Sequence, residues 1–213
     1  MSKRRIILLG ACIAFLAFLT YLVKTVGVPA FDAAIMEWFY SIRTEQRTEL
    51  FKGITFFANT KTIIWLCIIL LVIPKINKKI GIPIAATAIV GSALNRTIKH
   101  TVMRPRPEFD LQLIHPGGFS FTSGHSSSSI MMYGLLVWLI RRYVKDKRIA
   151  NFATVILTLL WICIGISRMY LGVHYPTDVM GGWTLGMIMI LITITVVECV
   201  ENRKERRANE KTD

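Results

Sequence analysis

Acidic residues are scarce in this chain of 213 residues: 13 Asp and Glu stand against 26 Lys and Arg, a formal net charge of +13. Charge of either sign is sparse, at 18% of residues, which excludes a disordered polyelectrolyte. Four cysteines (Cys12, Cys67, Cys163, Cys199) are too few to staple a small secreted domain. Each falls in or at the edge of an apolar block, where cysteine serves as an apolar packing residue. The His-Glu-x-x-His signature of a zinc metalloprotease is missing, and there is no internal repeat or low-complexity domain. What abounds is apolar surface, with 53% hydrophobic residues and a mean hydropathy of +0.50. That excludes an ordinary water-soluble domain. An excess of +13 in a soluble protein would point to nucleic acid. Here the basic residues lie between apolar blocks, so membrane topology accounts for most of them and no nucleic-acid partner is implied.

The apolar blocks predict six spans, over 6–23, 57–73, 82–98, 126–140, 151–167 and 179–197. The fold class is therefore all-α, a polytopic membrane bundle with six transmembrane helices. Lys3-Arg4-Arg5 precede the first span like the start of a signal peptide. The apolar run continues to Val23 with no small-residue cleavage site, so it reads as an uncleaved anchor. The run Leu9-Gly10-Ala11-Cys12 has too short an apolar lead to be a lipoprotein signal. Span two has a clean apolar core only over 62–73, which leaves Lys61 to snorkel to the interface. Between spans one and two, Phe31, Ile35, Trp38, Phe39 and Ile42 recur at helical spacing. They predict an outer amphipathic helix, lying on the membrane surface or packed on the bundle. Residues 1–200 read as one domain and 201–213 as a charged cytoplasmic tail.

Charge orients the spans. With the N-terminus inside, the inner segments hold 16 basic and 6 acidic residues and the outer ones 10 and 7. The inner side is then +10 and the outer side +3, with both termini cytoplasmic. The outer mouth nonetheless gathers unusual chemistry. All four histidines (His100, His115, His125, His174) lie in the outer connections 99–125 and 168–178, with Lys99, Arg104, Arg106, Arg168 and Asp178. Ionisable groups at span ends are costly unless they pair or serve a site. A positive-inside chain that keeps this many cations outside is holding an anion there. Interfacial snorkelling explains one or two of them and not the set. His125 starts span four only about 22 Å of helix before Arg141, so it sits below the outer surface, within reach of a lipid headgroup. Ser123-Gly124-His125-Ser126 would form the first turn, whose free N–H groups cradle a phosphate.

Three blocks then resemble one family. Lys99 is followed after six residues by Arg106-Pro107. Ser123-Gly124-His125 ends the run Phe119-Ser120-Phe121-Thr122-Ser123-Gly124-His125. Ser167-Arg168 is followed after five residues by His174, and three more lead to Asp178. Their order and spacing resemble the type-2 phosphatidate phosphatase superfamily, the integral-membrane lipid phosphate phosphatases. One departure is visible: the family usually has Pro before Ser-Gly-His, and this chain has Thr122.

The resemblance implies a division of labour. His174 is the nucleophile that forms a phosphohistidine, and Asp178 holds its other ring nitrogen. His125 is the acid for the leaving oxygen and then the base for water. Lys99, Arg106 and Arg168, with the Ser123 hydroxyl and Gly124 amide, bind the phosphoryl oxygens. Fixed cations then stand where kinases use Mg²⁺, so neither a metal nor a cofactor is expected. Arg96 and Arg104 are adjacent basic residues outside the motifs, and His100 and His115 match no family position. The Gly182-x-x-x-Gly186 step and the serine run 126–129 read as helix packing. The implied activity is removal of a terminal phosphate from a lipid phosphate or lipid diphosphate in the outer leaflet of the cell membrane. By family resemblance the substrates are undecaprenyl diphosphate, favoured slightly, and phosphatidylglycerophosphate or phosphatidate. The oligomeric state is open. The alternative is a non-catalytic lipid-phosphate binding or transport protein. A haloperoxidase shares the anion pocket, but those relatives are soluble.

Overall fold

The computed structural model describes residues 2–210, and every regular element among them is helical. The first apolar block forms α1 (Lys3–Val26), capped by Ser2 and stopped at Gly27, whose φ of 75° ends the helix. The segment predicted as one amphipathic helix is two, α2 (Ala30–Ser41) and α3 (Glu45–Phe56), because Thr44 caps a fresh start. A break at 57–59 leads to α4 (Thr60–Val72). A π-helical turn at Asn77–Gly81 then feeds α5 (Ile82–Val102), which ends at Met103 in the left-handed conformation, just before Pro105. The fourth column consists of α6 (Gly124–Ser129), a π-helical turn at Ile130–Gly134 and α7 (Leu135–Tyr143). It is followed by α8 (Lys147–Tyr170), capped by Asp146, and α9 (Pro176–Asn209).

Among the described residues four stretches are long and apolar enough to cross a membrane: Lys3–Val26, Glu45–Val72, Lys147–Tyr170 and Pro176–Asn209. The other two predicted spans fall on α5, which carries Asn95, Arg96, Lys99 and His100, and on the α6–α7 column with its serine run and π turn. Their polar load keeps them below the same mark. The outer surface inverts the water-soluble pattern. Ile7, Phe18, Trp65, Ile89 and Phe152 stay exposed on the bundle's flanks, while Asp32, Arg104, Arg168 and Asp178 are buried. Such a surface needs lipid around it.

The core follows α9, the most enclosed of the long helices. α1 packs along it, with Leu19 and Val23 against Phe121 at one end and Arg5 paired to Glu198 at the other (2.7 Å). α6 packs on it through the glycine step. A Cβ on Gly182 would lie 2.6 Å from the Ser123 carbonyl oxygen and 2.9 Å from Ser126 Cβ, and one on Gly186 would overlap Ile130. The step is therefore an intramolecular contact, and it seats the Ser123 turn directly on α9. Gly182→Ala is expected to cost about 1–3 kcal/mol by overpacking against the Ser123 turn, which a thermal melt of the purified variant beside the wild type checks.

α2 lies across one end of the bundle, and one of its faces is committed to it. Asp32, Met36 and Phe39 are buried, whereas Phe31 and Trp38 point outward. Phe39 packs edge-on against Tyr170 of α8 (6.4 Å between centroids). The charged end of α9 stays helical to Asn209, and residues 211–213 of the predicted tail lie outside the described residues.

Candidate active site

The site end of the bundle is assembled by three chain reversals. The first is the loop after α5, where Met103 turns the chain toward Arg104 and Arg106. The second is the turn before α6, with Ser123 as its cap. The third joins α8 to α9, where Gly172 (φ 74°) makes the turn and Leu171 accepts a backbone hydrogen bond from Leu113 (3.0 Å). Pro176 opens α9 after Tyr175, as suits a residue with no N–H to donate. His174 and Asp178 are thereby placed one turn apart, on either side of the helix start.

His174 is buried, and its two ring nitrogens meet different chemistry. Nδ1 faces Ser120 Oγ (3.3 Å) and Asp178 Oδ2 (3.4 Å), and Nε2 faces an Arg106 guanidinium nitrogen (3.1 Å). Arginine can only donate, so Nε2 must carry the lone pair and Nδ1 the proton. Burial lowers the pKa of His174 to about 3, against the upward pull of Asp178, so the ring is neutral at pH 7. Asp178 also accepts hydrogen bonds from the Ser120 hydroxyl and from the Tyr175 N–H (2.8 Å). It thus caps its own helix while holding the histidine.

The cations are arranged in two groups. Arg104 is buried and spans two carboxylates, Asp178 at 2.6 Å and Asp32 at 2.7 Å, while also donating to Thr177 Oγ1 (2.8 Å) and the Gly27 carbonyl (2.7 Å). Asp32 accepts from the Thr177 N–H (2.9 Å) and its hydroxyl (2.5 Å). This cluster ties α1, α2, the post-α5 loop and α9 together, and it neutralises Asp178.

Lys99, Arg106 and Arg168 have no such partner among the described residues. Lys99 Nζ donates to the carbonyls of Phe119 (2.7 Å) and Ser120 (3.1 Å). Arg106 donates to the carbonyls of Gly117 (3.0 Å), Gly118 (3.1 Å) and Val173 (2.8 Å). Burial lowers the pKa of its guanidinium, opposed by the charge of Asp178. Arg168 donates to Thr55 Oγ1 (2.7 Å), and its buried Nε has no acceptor. The three are near enough for their charges to act on one another and on His125. Arg168 is buried and Lys99 and Arg106 are half-buried, and three cations held together there with no carboxylate at ion-pair distance among the described residues call for an anion.

Two donors complete the pocket. Ser123 Oγ accepts from Ser126 N (3.3 Å) and Ser126 Oγ (2.9 Å), which leaves its own proton to give. The Gly124 N–H occupies the first helical position, where no intrahelical acceptor exists. His125, in the same turn, donates from Nε2 to Asn59 Oδ1 (3.0 Å) with the amide oxygen as acceptor. Thr122 is fully buried, and its hydroxyl accepts from Asn95 Nδ2 (2.7 Å). The departure from proline therefore supplies an acceptor that ties the turn to α5.

All eight residues singled out from the sequence lie at this one end. His174, Asp178 and Arg106 are in direct contact. Lys99 joins them through the carbonyl of Ser120. Arg168 is anchored on Thr55, and His125 on Asn59. Arg96 is exposed on α5, and His100 is exposed with its ring edge-on to Phe119 (5.7 Å). His115 stacks on Phe109 (4.1 Å). Sequence reasoning passed over Asp32, Asn59, Thr55 and Ser120, and it left the role of Arg104 open. Asp32 had a signal, being a lone carboxylate amid apolar residues.

Comparison with known proteins agrees with this architecture. The PAP2 superfamily pattern matches residues 80–200. Phosphatidylglycerophosphatase B of Bacillus subtilis is 29% identical over 184 residues, 84% of this chain and 89% of that protein. The crystal structure of a transmembrane PAP2-type phosphatidylglycerolphosphate phosphatase from Bacillus subtilis superposes with a TM-score of 0.82. It shares 26% identity, over 90% of this chain and 96% of that one. An undecaprenyl-diphosphatase of Sulfolobus acidocaldarius is 26% identical over 132 residues, 60% of each chain. With a family pattern over more than half its length and three blocks of site residues at one end of a membrane helix bundle, this chain belongs to the PAP2 superfamily of lipid phosphatases.

Proposed function

We propose that the protein removes the terminal phosphate of a membrane lipid through a phosphohistidine at His174. The observation that carries this reading is the positive charge of Lys99, Arg106 and Arg168, unpaired with any described carboxylate, around a neutral imidazole whose Nε2 lone pair faces Arg106. A tetrahedral dianion supplies the missing charge, and its phosphorus is what that lone pair attacks. Arg106 occupies Nε2 until a phosphoryl oxygen draws the guanidinium away, which frees the nucleophile as the substrate binds.

The atoms balance in two steps. Nε2 bonds to phosphorus as the bond to the leaving oxygen breaks, and His125 gives that oxygen its proton. The Asn59 amide oxygen accepts the His125 Nε2–H, so the acid proton is carried on Nδ1. Burial and the nearby cations favour the neutral ring, and the bound phosphate dianion supplies the negative charge that restores the imidazolium an acid needs. Water then attacks phosphorus and gives a proton to His125 as the P–N bond breaks, releasing inorganic phosphate. Asp178 stabilises the positive charge that develops on His174. The Ser123 hydroxyl, the Gly124 amide and the three cations hold the equatorial oxygens. Fixed side-chain charge performs the neutralisation, so the reaction runs without a metal.

The relative that covers most of this chain is named for phosphatidylglycerophosphate, which supports a phospholipid carrying a terminal phosphate as substrate. The archaeal relative supports an isoprenoid diphosphate as the second reading. We read the bundle as six spans with both termini cytoplasmic and His174 on the outer side. The charge asymmetry along the chain and the helical columns at all six predicted spans support this.

The test is phosphate release by the detergent-purified protein from phosphatidylglycerophosphate, phosphatidate and undecaprenyl diphosphate, with EDTA and with millimolar vanadate. Release should withstand EDTA and be inhibited by vanadate, which takes the five-coordinate geometry of phosphoryl transfer. Release that resists vanadate would count against the phosphohistidine route. A folded protein that binds these lipids and releases nothing would be the non-catalytic alternative.

A further inference from the structure

A second groove opens at the end of the bundle away from His174. Between α5 and α9 it leaves about 540 Å³, walled by Ile82, Val90, Met189, Val196 and Val200. The polar atoms in its wall are spent on one another: Thr193 and Thr87 hydroxyls meet at 2.6 Å, and Thr87 bonds the Pro83 carbonyl (2.6 Å). An apolar slot results. Along α9 its lining runs from Met189 to Lys204, about 22 Å of helix, and Met189 lies about 16 Å along the axis from Asp178. The groove is thus separate from the catalytic pocket and has the depth of one bilayer leaflet.

Its mouth is basic. Lys78, Lys79 and Lys204 stand there, all exposed, together with Glu201. Glu201 is already answered by Arg142 (2.5 Å) and the Tyr143 hydroxyl (2.5 Å). Lys79 lies over the Tyr143 ring (5.3 Å to the centroid). Among the described residues, Lys78 and Lys204 have no acidic partner within ion-pair distance. Three lysines, beside one carboxylate already paired with Arg142, therefore crown a slot lined by aliphatic side chains.

The occupant that matches both parts is a lipid with a negative headgroup. An acyl chain fills the slot, and a phosphodiester meets the lysines at the membrane surface. A zwitterionic lipid fits the slot equally well but brings its own ammonium to the lysines and loses the electrostatic gain. We propose that the α5–α9 groove is a binding site for an anionic glycerophospholipid, in the leaflet at the end of the bundle that holds the start of α1 and the end of α9. Lys78, Lys79 and Lys204 hold its phosphodiester.

The test uses the full-length protein in detergent and native mass spectrometry to compare retention of dioleoyl phosphatidylglycerol and dioleoyl phosphatidylcholine. Phosphatidylglycerol is a diester with no terminal phosphate, so its retention does not depend on turnover at His174. The wild type should prefer phosphatidylglycerol. The triple variant Lys78→Gln, Lys79→Gln, Lys204→Gln should lower that preference by at least about tenfold while melting within a few degrees of wild type. Val90→Trp, which fills the slot, should reduce retention of both lipids, and it serves as the independent arm if the triple variant does not fold. The proposal is overturned if the wild type shows no preference or if the preference survives in the folded triple variant. It is also overturned if the preference is lost instead in the Lys99→Gln, Arg106→Gln variant.

Discussion

Replacing His174 with alanine is expected to lower phosphate release by roughly four orders of magnitude or more, as loss of a covalent nucleophile does. The group lost is the Nε2 lone pair, and no other described side chain at this end offers an unprotonated nitrogen opposite Arg106. Three neighbours survive the change with other partners. Arg106 keeps its three carbonyl acceptors, Ser120 keeps Asp178, and Asp178 keeps Arg104 and the Tyr175 N–H. The variant should therefore fold with a loss of about 1–3 kcal/mol, and lipid-phosphate binding should persist because the cations remain. Turnover at saturating substrate, measured beside a thermal melt, separates the two effects. A folded His174→Ala protein that still releases phosphate at the wild-type rate would move the nucleophile elsewhere.

Arg104→Met is expected to be the most destabilising single change at this end. Methionine preserves much of the side-chain volume but leaves Asp32 and Asp178 buried in the same cluster with their charges unanswered. Breaking a buried ion pair by removing one partner costs about 3–5 kcal/mol. In a chain of this length that lowers the melting midpoint by about 10 °C. Activity should fall as well, through Asp178, because a carboxylate without Arg104 takes up a proton more readily and then holds the His174 N–H less well. Pairing Arg104→Met with Asp32→Asn removes one charge along with the guanidinium and should restore part of the midpoint. If the double variant melts no higher than the single, the cluster is not what supports this end of the fold.

Arg104 also shows where a linear reading stops. From the sequence it was one more basic residue beside the motif, with no spacing to separate it from Arg96. In the structure Arg96 is exposed on α5, while Arg104 is turned inward by the reversal at Met103 and meets Asp32, which is 72 residues away along the chain. Asn59 is similar: it stands just before α4 with no capping bond from its side chain, and it meets His125, 66 residues along the chain, only in the fold. Ser120 lay inside a quoted motif, yet its contact with both His174 and Asp178 depends on a turn that no periodicity encodes. The helix between spans one and two was visible as an apolar pattern. The break into two helices is local, at the Thr44 cap, but that one face of α2 is held through Asp32 and Phe39 follows from partners on α8, α9 and the post-α5 loop.

By itself the sequence determined the class of the molecule. Apolar blocks of membrane length dictate helices, because a backbone in lipid must satisfy its own hydrogen bonds. The concentration of His, Lys and Arg at one set of helix ends marks an anion site, because such groups are too costly there without one. Only the tertiary structure decided which cations are free. Arg104 is spent on two carboxylates, whereas Lys99, Arg106 and Arg168 have none. Only it decided which nitrogen of His174 holds the lone pair, through the arginine that faces it. Charge balance and tautomer are properties of neighbours in space, and the residues that set them here lie up to 146 positions apart, from Asp32 to Asp178.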